Sequence, residues 1–88
     1  MTETEIVVQD LRRELRWSYK DQSIDKLLAL SGKLTNHKDT SSIICALKSY
    51  TSSLFIAKGC EGKYAFDKVK LCAYTLLDAI KKWEQAHA

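Results

Sequence analysis

The stretch Ala65-Phe-Asp-Lys-Val-Lys-Leu-Cys-Ala-Tyr-Thr-Leu-Leu-Asp-Ala-Ile-Lys-Lys-Trp83 decides the fold. Ala65, Phe66, Val69, Cys72, Ala73, Leu76, Leu77, Ile80 and Trp83 recur at intervals of three and four, so they share one wide face of a helix spanning about residues 62–85. A face that broad must be buried against other elements, and the chain before it supplies only helices. Ile43, Ile44, Leu47, Tyr50, Thr51, Leu54 and Phe55 hold the same period up to Gly59, which suits the residue after a helix because it tolerates positive φ. Ile24, Leu27, Leu28, Leu30 and Leu34 make a shorter apolar face ending near Asn36, with Asp21 or Ser23 as its cap. Val7, Val8, Leu11, Leu15 and Tyr19 predict a first helix over about residues 4–20, opened by the capping-box spacing of Thr2 and Glu5.

The polar run His37 to Ser42 separates the second and third helices, with Asp39, Thr40 or Ser41 as the next cap, and Gly59-Cys-Glu-Gly62 connects the third and fourth. Short connections favour antiparallel neighbours, so the expected fold is all-α: a single antiparallel four-helix bundle over residues 1–88. A chain of 88 residues supports one small domain, and 45% hydrophobic with 28% charged residues is a globular composition, which excludes disorder and low complexity.

The apolar runs are far shorter than the roughly 20 residues of a membrane span. The start Met-Thr-Glu-Thr-Glu is acidic where a secretion signal is basic, so a cytoplasmic protein is expected. Three cysteines cannot all pair and read as reduced thiols: Cys72 as a small core hydrophobe, Cys45 and Cys60 as exposed.

No motif for catalysis appears. His37 falls in a loop and His87 near a fraying end, neither beside a nucleophile, so both read as exposed surface. The cysteines and histidines lack the paired spacing of a zinc site, and Gly59-Cys-Glu-Gly62 lacks the length and the Lys-Ser/Thr of a phosphate loop. Asp67 and Asp78 should face solvent on the fourth helix. The expectation is a non-enzymatic protein without metal or cofactor.

What remains is surface. Residues 1–20 and 21–40 are each charge-neutral, so the net +3 lies entirely in residues 41–88. Arg12, Arg13, Arg16 and Lys20 nevertheless share the solvent side of the predicted first helix, with Trp17 placed to stack under Arg13, a candidate foothold for nucleic acid or anionic lipid. Ile6, Trp17, Ile56, Tyr64, Leu71 and Tyr74 fall off the apolar stripes, and aromatic residues there suit a partner or homodimer surface.

The segment Leu27-Leu-Ala-Leu-Ser-Gly-Lys-Leu-Thr35, a polar loop, the amphipathic Ser42-Ile-Ile-Cys-Ala-Leu-Lys-Ser-Tyr-Thr-Ser-Ser-Leu54, a turn and a fourth helix resemble the immunity proteins of pediocin-like bacteriocins, the enterocin A immunity type. The resemblance implies an antiparallel four-helix bundle without enzymatic activity. It also implies action from inside the cell on the membrane sugar-transporter that the bacteriocin has engaged, with helix three, helix four and Trp83 as recognition elements. Together with the off-stripe residues and the basic face, the expected partner-binding residues are Ile6, Arg13, Trp17, Ile56, Tyr64, Leu71 and Trp83. The alternatives are a nucleic-acid-binding or regulatory protein using Arg12, Arg13, Arg16 and Lys20, and an adaptor subunit of an assembly.

Overall fold

The computed structural model describes residues 2–59 and 63–87, with side chains in the second segment described from Ala65 onward. Four helices follow one another: α1 (Glu3–Leu15), α2 (Ile24–Leu34), α3 (Ser41–Gly59) and α4 (Lys63–Ala86), with no strand among the described residues. Each helix packs against its neighbour in sequence, and α1 closes the bundle with a smaller contact to α4. At one end Thr4 at the start of α1 meets His37 after α2 (Oγ1 to Nδ1, 2.7 Å), and His87 after α4 approaches Asp39 before α3 (3.9 Å). At the other end Tyr19 after α1 packs its ring on Phe66 near the start of α4, with centroids 5.0 Å apart. The Lys58 ammonium near the end of α3 donates to the Gln22 carbonyl before α2. Successive helices therefore run antiparallel, the expected four-helix bundle, 39 Å along its longest axis.

The core is the apolar stripe of each helix: Val8 and Leu11 from α1, Leu27 and Leu34 from α2, Ile43, Leu47, Tyr50 and Leu54 from α3, and Leu76 and Ile80 from α4, all essentially without solvent contact. Fully burying such side chains contributes roughly 1.5–3 kcal/mol each, which is what selects the bundle over isolated helices.

Local chemistry sets the boundaries. The Thr2 hydroxyl accepts from Glu5 N–H at 3.2 Å and the Ser23 hydroxyl from Lys26 N–H at 3.3 Å, so both caps stand where the sequence places them. Thr40 precedes α3 and its carbonyl accepts from Ile44 N–H, but its buried hydroxyl turns back to the carbonyls of Leu34 (2.8 Å) and His37 (3.1 Å). It fastens α2 to the turn rather than capping α3. Asp39 takes a positive φ of 64°, which a short polar side chain tolerates better than most.

The first helix is shorter than expected: it ends at Leu15, not near Lys20. Beyond it Ser18 and Asp21 close their own turn, hydroxyl to carboxylate at 2.8 Å and Asp21 N–H to the Ser18 carbonyl at 2.9 Å. Such local side-chain bonds compete with helix continuation. Tyr19 still packs against the core, but from this turn. Gly59 also departs from expectation, lying inside the last turn of α3 without a positive φ. The connector residues Cys60, Glu61 and Gly62 lie outside the described residues.

Candidate functional site

The residues expected to bind a partner do not converge on one patch. Ile6 is 47% exposed at the start of α1, in a shallow hollow shared with Lys33, Asn36 and His37. Trp17, 62% exposed, stands just past the opposite end of α1. Ile56 is exposed in the last turns of α3, and Leu71 faces outward from the first half of α4. The side chain of Tyr64 lies outside the described residues. Trp83 is not an open anchor: only 8% exposed, its ring belongs to the core, where the α4 period also places it.

The basic face is likewise broken up. Arg12 and Arg13 lie on α1, Arg16 is its C-cap and Lys20 sits in the following turn, because the helix stops at Leu15. Arg12 pairs with Glu84 at 3.4 Å and Arg13 with Asp10 at 3.8 Å, so half of the cluster is already engaged by carboxylates. Among the described residues Trp17 makes no stacking contact with Arg13; the aromatic contacts found are Tyr19 with Phe66 and Trp83 with His87.

Several apolar residues are exposed where burial was expected: Leu28, Phe55 at 70%, Phe66 and Leu77. Phe55 follows Leu54, and one residue along a helix is a rotation of about 100°, which carries it off the buried line. Leu77 follows buried Leu76 in the same way, whereas Phe66 has a different cause. The α1 helix of 13 residues is about 20 Å long and α4 of 24 residues about 36 Å, and α1 meets α4 around Trp83 and Glu84. The first half of α4 is therefore left with the turn after α1, and Phe66, Leu71 and Tyr74 are exposed apolar surface there. Composition alone gave no sign of this, since it depends on where α1 ends.

The two histidines are tied down rather than loose. His37 accepts from or donates to Thr4 at 2.7 Å, a hydroxyl–imidazole pair without an acid on the second ring nitrogen among the described residues, so it lacks the third group of a catalytic triad. His87 hydrogen-bonds the Trp83 carbonyl at 2.9 Å and stacks on the Trp83 ring, with centroids 4.4 Å apart and planes 18° from parallel.

A second feature that the sequence reading missed is a polar core group. Gln22, 4% exposed, donates to the Trp17 carbonyl at 2.7 Å and accepts from the Tyr50 hydroxyl, while Glu14 accepts from Ser23 N–H at 2.8 Å. Burial raises Tyr50 above its ordinary phenol pKa, so it stays a donor.

An open trough of about 1160 Å³ lies between the first half of α3 and residues 72–86 of α4. Small side chains line it: Ser42, Cys45 and Ser49 from α3, and Cys72, Thr75 and Ala79 from α4. Cys72 is half-buried and lies 3.3 Å from the Ser53 hydroxyl, while Cys45 is exposed, both as expected. No family model, no curated protein and no solved structure matches the chain. Among the described residues no helix is long and apolar enough to cross a membrane.

Proposed function

We propose that the chain is a small non-enzymatic protein-binding module, and that bacteriocin immunity, exerted on the sugar-transporter that the bacteriocin has engaged, is its sharpest form. The observation that carries the binding role is the set of large apolar side chains left outside a well-filled core, with Trp17, Phe55 and Leu71 each more than 60% exposed. Exposed aromatic and aliphatic groups of this size supply the buried anchors of protein interfaces. The immunity role rests on the resemblance in helix order and apolar spacing. The ion-paired Arg12 and Arg13 and the displaced Lys20 favour a protein partner over nucleic acid.

The test is affinity capture of the tagged protein from detergent-solubilised membranes of cells treated or untreated with a pediocin-like bacteriocin. Transporter subunits recovered only with bacteriocin, and retained at high salt, support the proposal. Recovery of nucleic acid that is lost at high salt overturns it, because phosphate neutralisation releases counterions. Recovery of the protein alone as a self-assembled species overturns the immunity role and favours the adaptor reading.

A further inference from the structure

Phe66, Lys70, Tyr74, Leu77 and Lys81 follow one another on α4 at intervals of three and four residues, so they form a single row along the helix. All five are exposed. From Phe66 to Lys81 the row runs about 22 Å at 1.5 Å per residue, with apolar and basic side chains interspersed.

Its place in the bundle follows from Glu84, whose carboxylate meets Arg12 of α1 at 3.4 Å. Phe66 lies five helical turns before Glu84 and Leu77 two turns before it, so both point to the side of α4 that faces α1. Yet α1 ends at Leu15, and the turn after it reaches this part of α4 through Tyr19, whose ring centroid lies 5.0 Å from that of Phe66. The same turn adds positive charge. Arg16 follows Arg12 by one helical turn and continues the side facing α4, and exposed Lys20 is next to Tyr19.

The nearby carboxylates do not cancel this charge. Glu84 is held by Arg12, Asp78 by Lys82 at 3.1 Å, and Glu14 accepts from Ser23 N–H at 2.8 Å. Asp21 and Asp67 are exposed, so Arg16, Lys20, Lys70 and Lys81 stand against two carboxylates. A surface that complements the row must offer apolar depth and negative charge in one plane. A bilayer with anionic lipids does so: Phe, Tyr and Leu enter the acyl boundary, while lysine stems reach back to the phosphates. Aromatic side chains also favour that depth. A partner helix would instead call for a groove, and the trough beside α3 includes none of these residues.

We propose that this row of α4, with Arg16 and Lys20, docks the protein on an anionic bilayer surface, α4 lying along the membrane rather than crossing it. The proposal goes beyond the protein-binding reading and does not rest on it, since Trp17, Phe55 and Leu71 lie outside the row.

The test is co-sedimentation of the full chain with phosphatidylcholine vesicles and with vesicles carrying about 30% phosphatidylglycerol, at about 0.05 M and 0.5 M salt. Binding to the anionic vesicles at low salt is expected, with little binding to the neutral ones and most of it lost at high salt. Each basic residue near an anionic surface strengthens binding roughly fivefold, so Lys70→Gln with Lys81→Gln should weaken it at least about tenfold. Lys33→Gln with Lys38→Gln removes the same charge from exposed positions off the row, and should change binding by no more than about twofold. Tyr74→Ser should also weaken binding at an unchanged thermal midpoint, because the ring is exposed, whereas Asp67→Asn should strengthen it. Equal binding to the two kinds of vesicle, binding to neither, or equal losses from the two lysine pairs overturns the proposal. So does loss of a captured protein in detergent on Lys70→Gln with Lys81→Gln when the unsubstituted chain binds no vesicle, which assigns the row to an acidic protein surface.

Discussion

Gln22 joins three parts of the chain through one buried amide: its NH2 group takes the Trp17 carbonyl, its oxygen takes the Tyr50 hydroxyl, and its own carbonyl receives Lys58. A Gln22→Leu substitution removes the acceptor while leaving a phenol that is 1% exposed, so the expected cost is about 1–3 kcal/mol in urea unfolding. Tyr50→Phe strands the amide oxygen at a similar cost, and the double variant should lose less than the sum, because the unpaired partner is gone in both cases. The same pair carries a pH signature. Burial raises the Tyr50 pKa above 10, so the unfolded chain loses the phenol proton first. This contribution is fully present below about pH 10 and declines as pH rises through the higher folded value. Urea midpoints at pH 8 and 10.5 should therefore fall further for the unsubstituted protein than for Tyr50→Phe; equal falls would mean that Tyr50 is not the group responsible.

At the scale of the element, α2 and α3 were legible in the sequence nearly to the residue, because their apolar spacing, the Ser23 cap and the His37–Thr40 punctuation all agree. The end of α1 was not. Tyr19 falls at the helical spacing from Leu15, and only the competing Ser18–Asp21 turn and the Gln22 contacts to the backbone show why the helix stops. Those bonds are local side-chain bonds that an apolar periodicity does not register, and the Tyr50 hydroxyl that also binds Gln22 comes from α3. Gly32 offers a clean test of α2. It sits in the helix interior, a Cβ built there meets nothing within 4 Å, and its φ is not positive. Gly32→Ala should therefore raise stability by about 0.5–1 kcal/mol, through lower entropy of the unfolded chain and better helix propensity, read as a higher thermal midpoint. A lowered midpoint would show that α2 is held in a conformation other than the one described.

For the whole molecule, the residues that form the core follow the 3.6-residue period, whereas the surface that remains depends on which helices cover which faces. Leu54 and Phe55 show the difference within one apolar run: Leu54 is 0% exposed at the centre of the bundle and Phe55 is 70% exposed. The sequence reading put both on one stripe, since two large apolar neighbours near the edge of a face cannot be ranked without the packing partners. Leu54→Ala leaves a cavity among core side chains from neighbouring helices and should cost about 2–5 kcal/mol. For a domain of this size each kcal/mol moves the thermal midpoint by about 4–8 °C, so the loss is about 10 °C or more. Phe55→Ala removes a larger side chain but little buried area, and should change stability by no more than about 0.5 kcal/mol. If Phe55 contributes to an interface, its effect appears instead as weaker capture of the partner at an unchanged midpoint. Comparable destabilisation by the two substitutions would mean that the outer side of α3 is covered within the folded chain, and the exposed apolar set that carries the binding role would lose Phe55, one of its largest members.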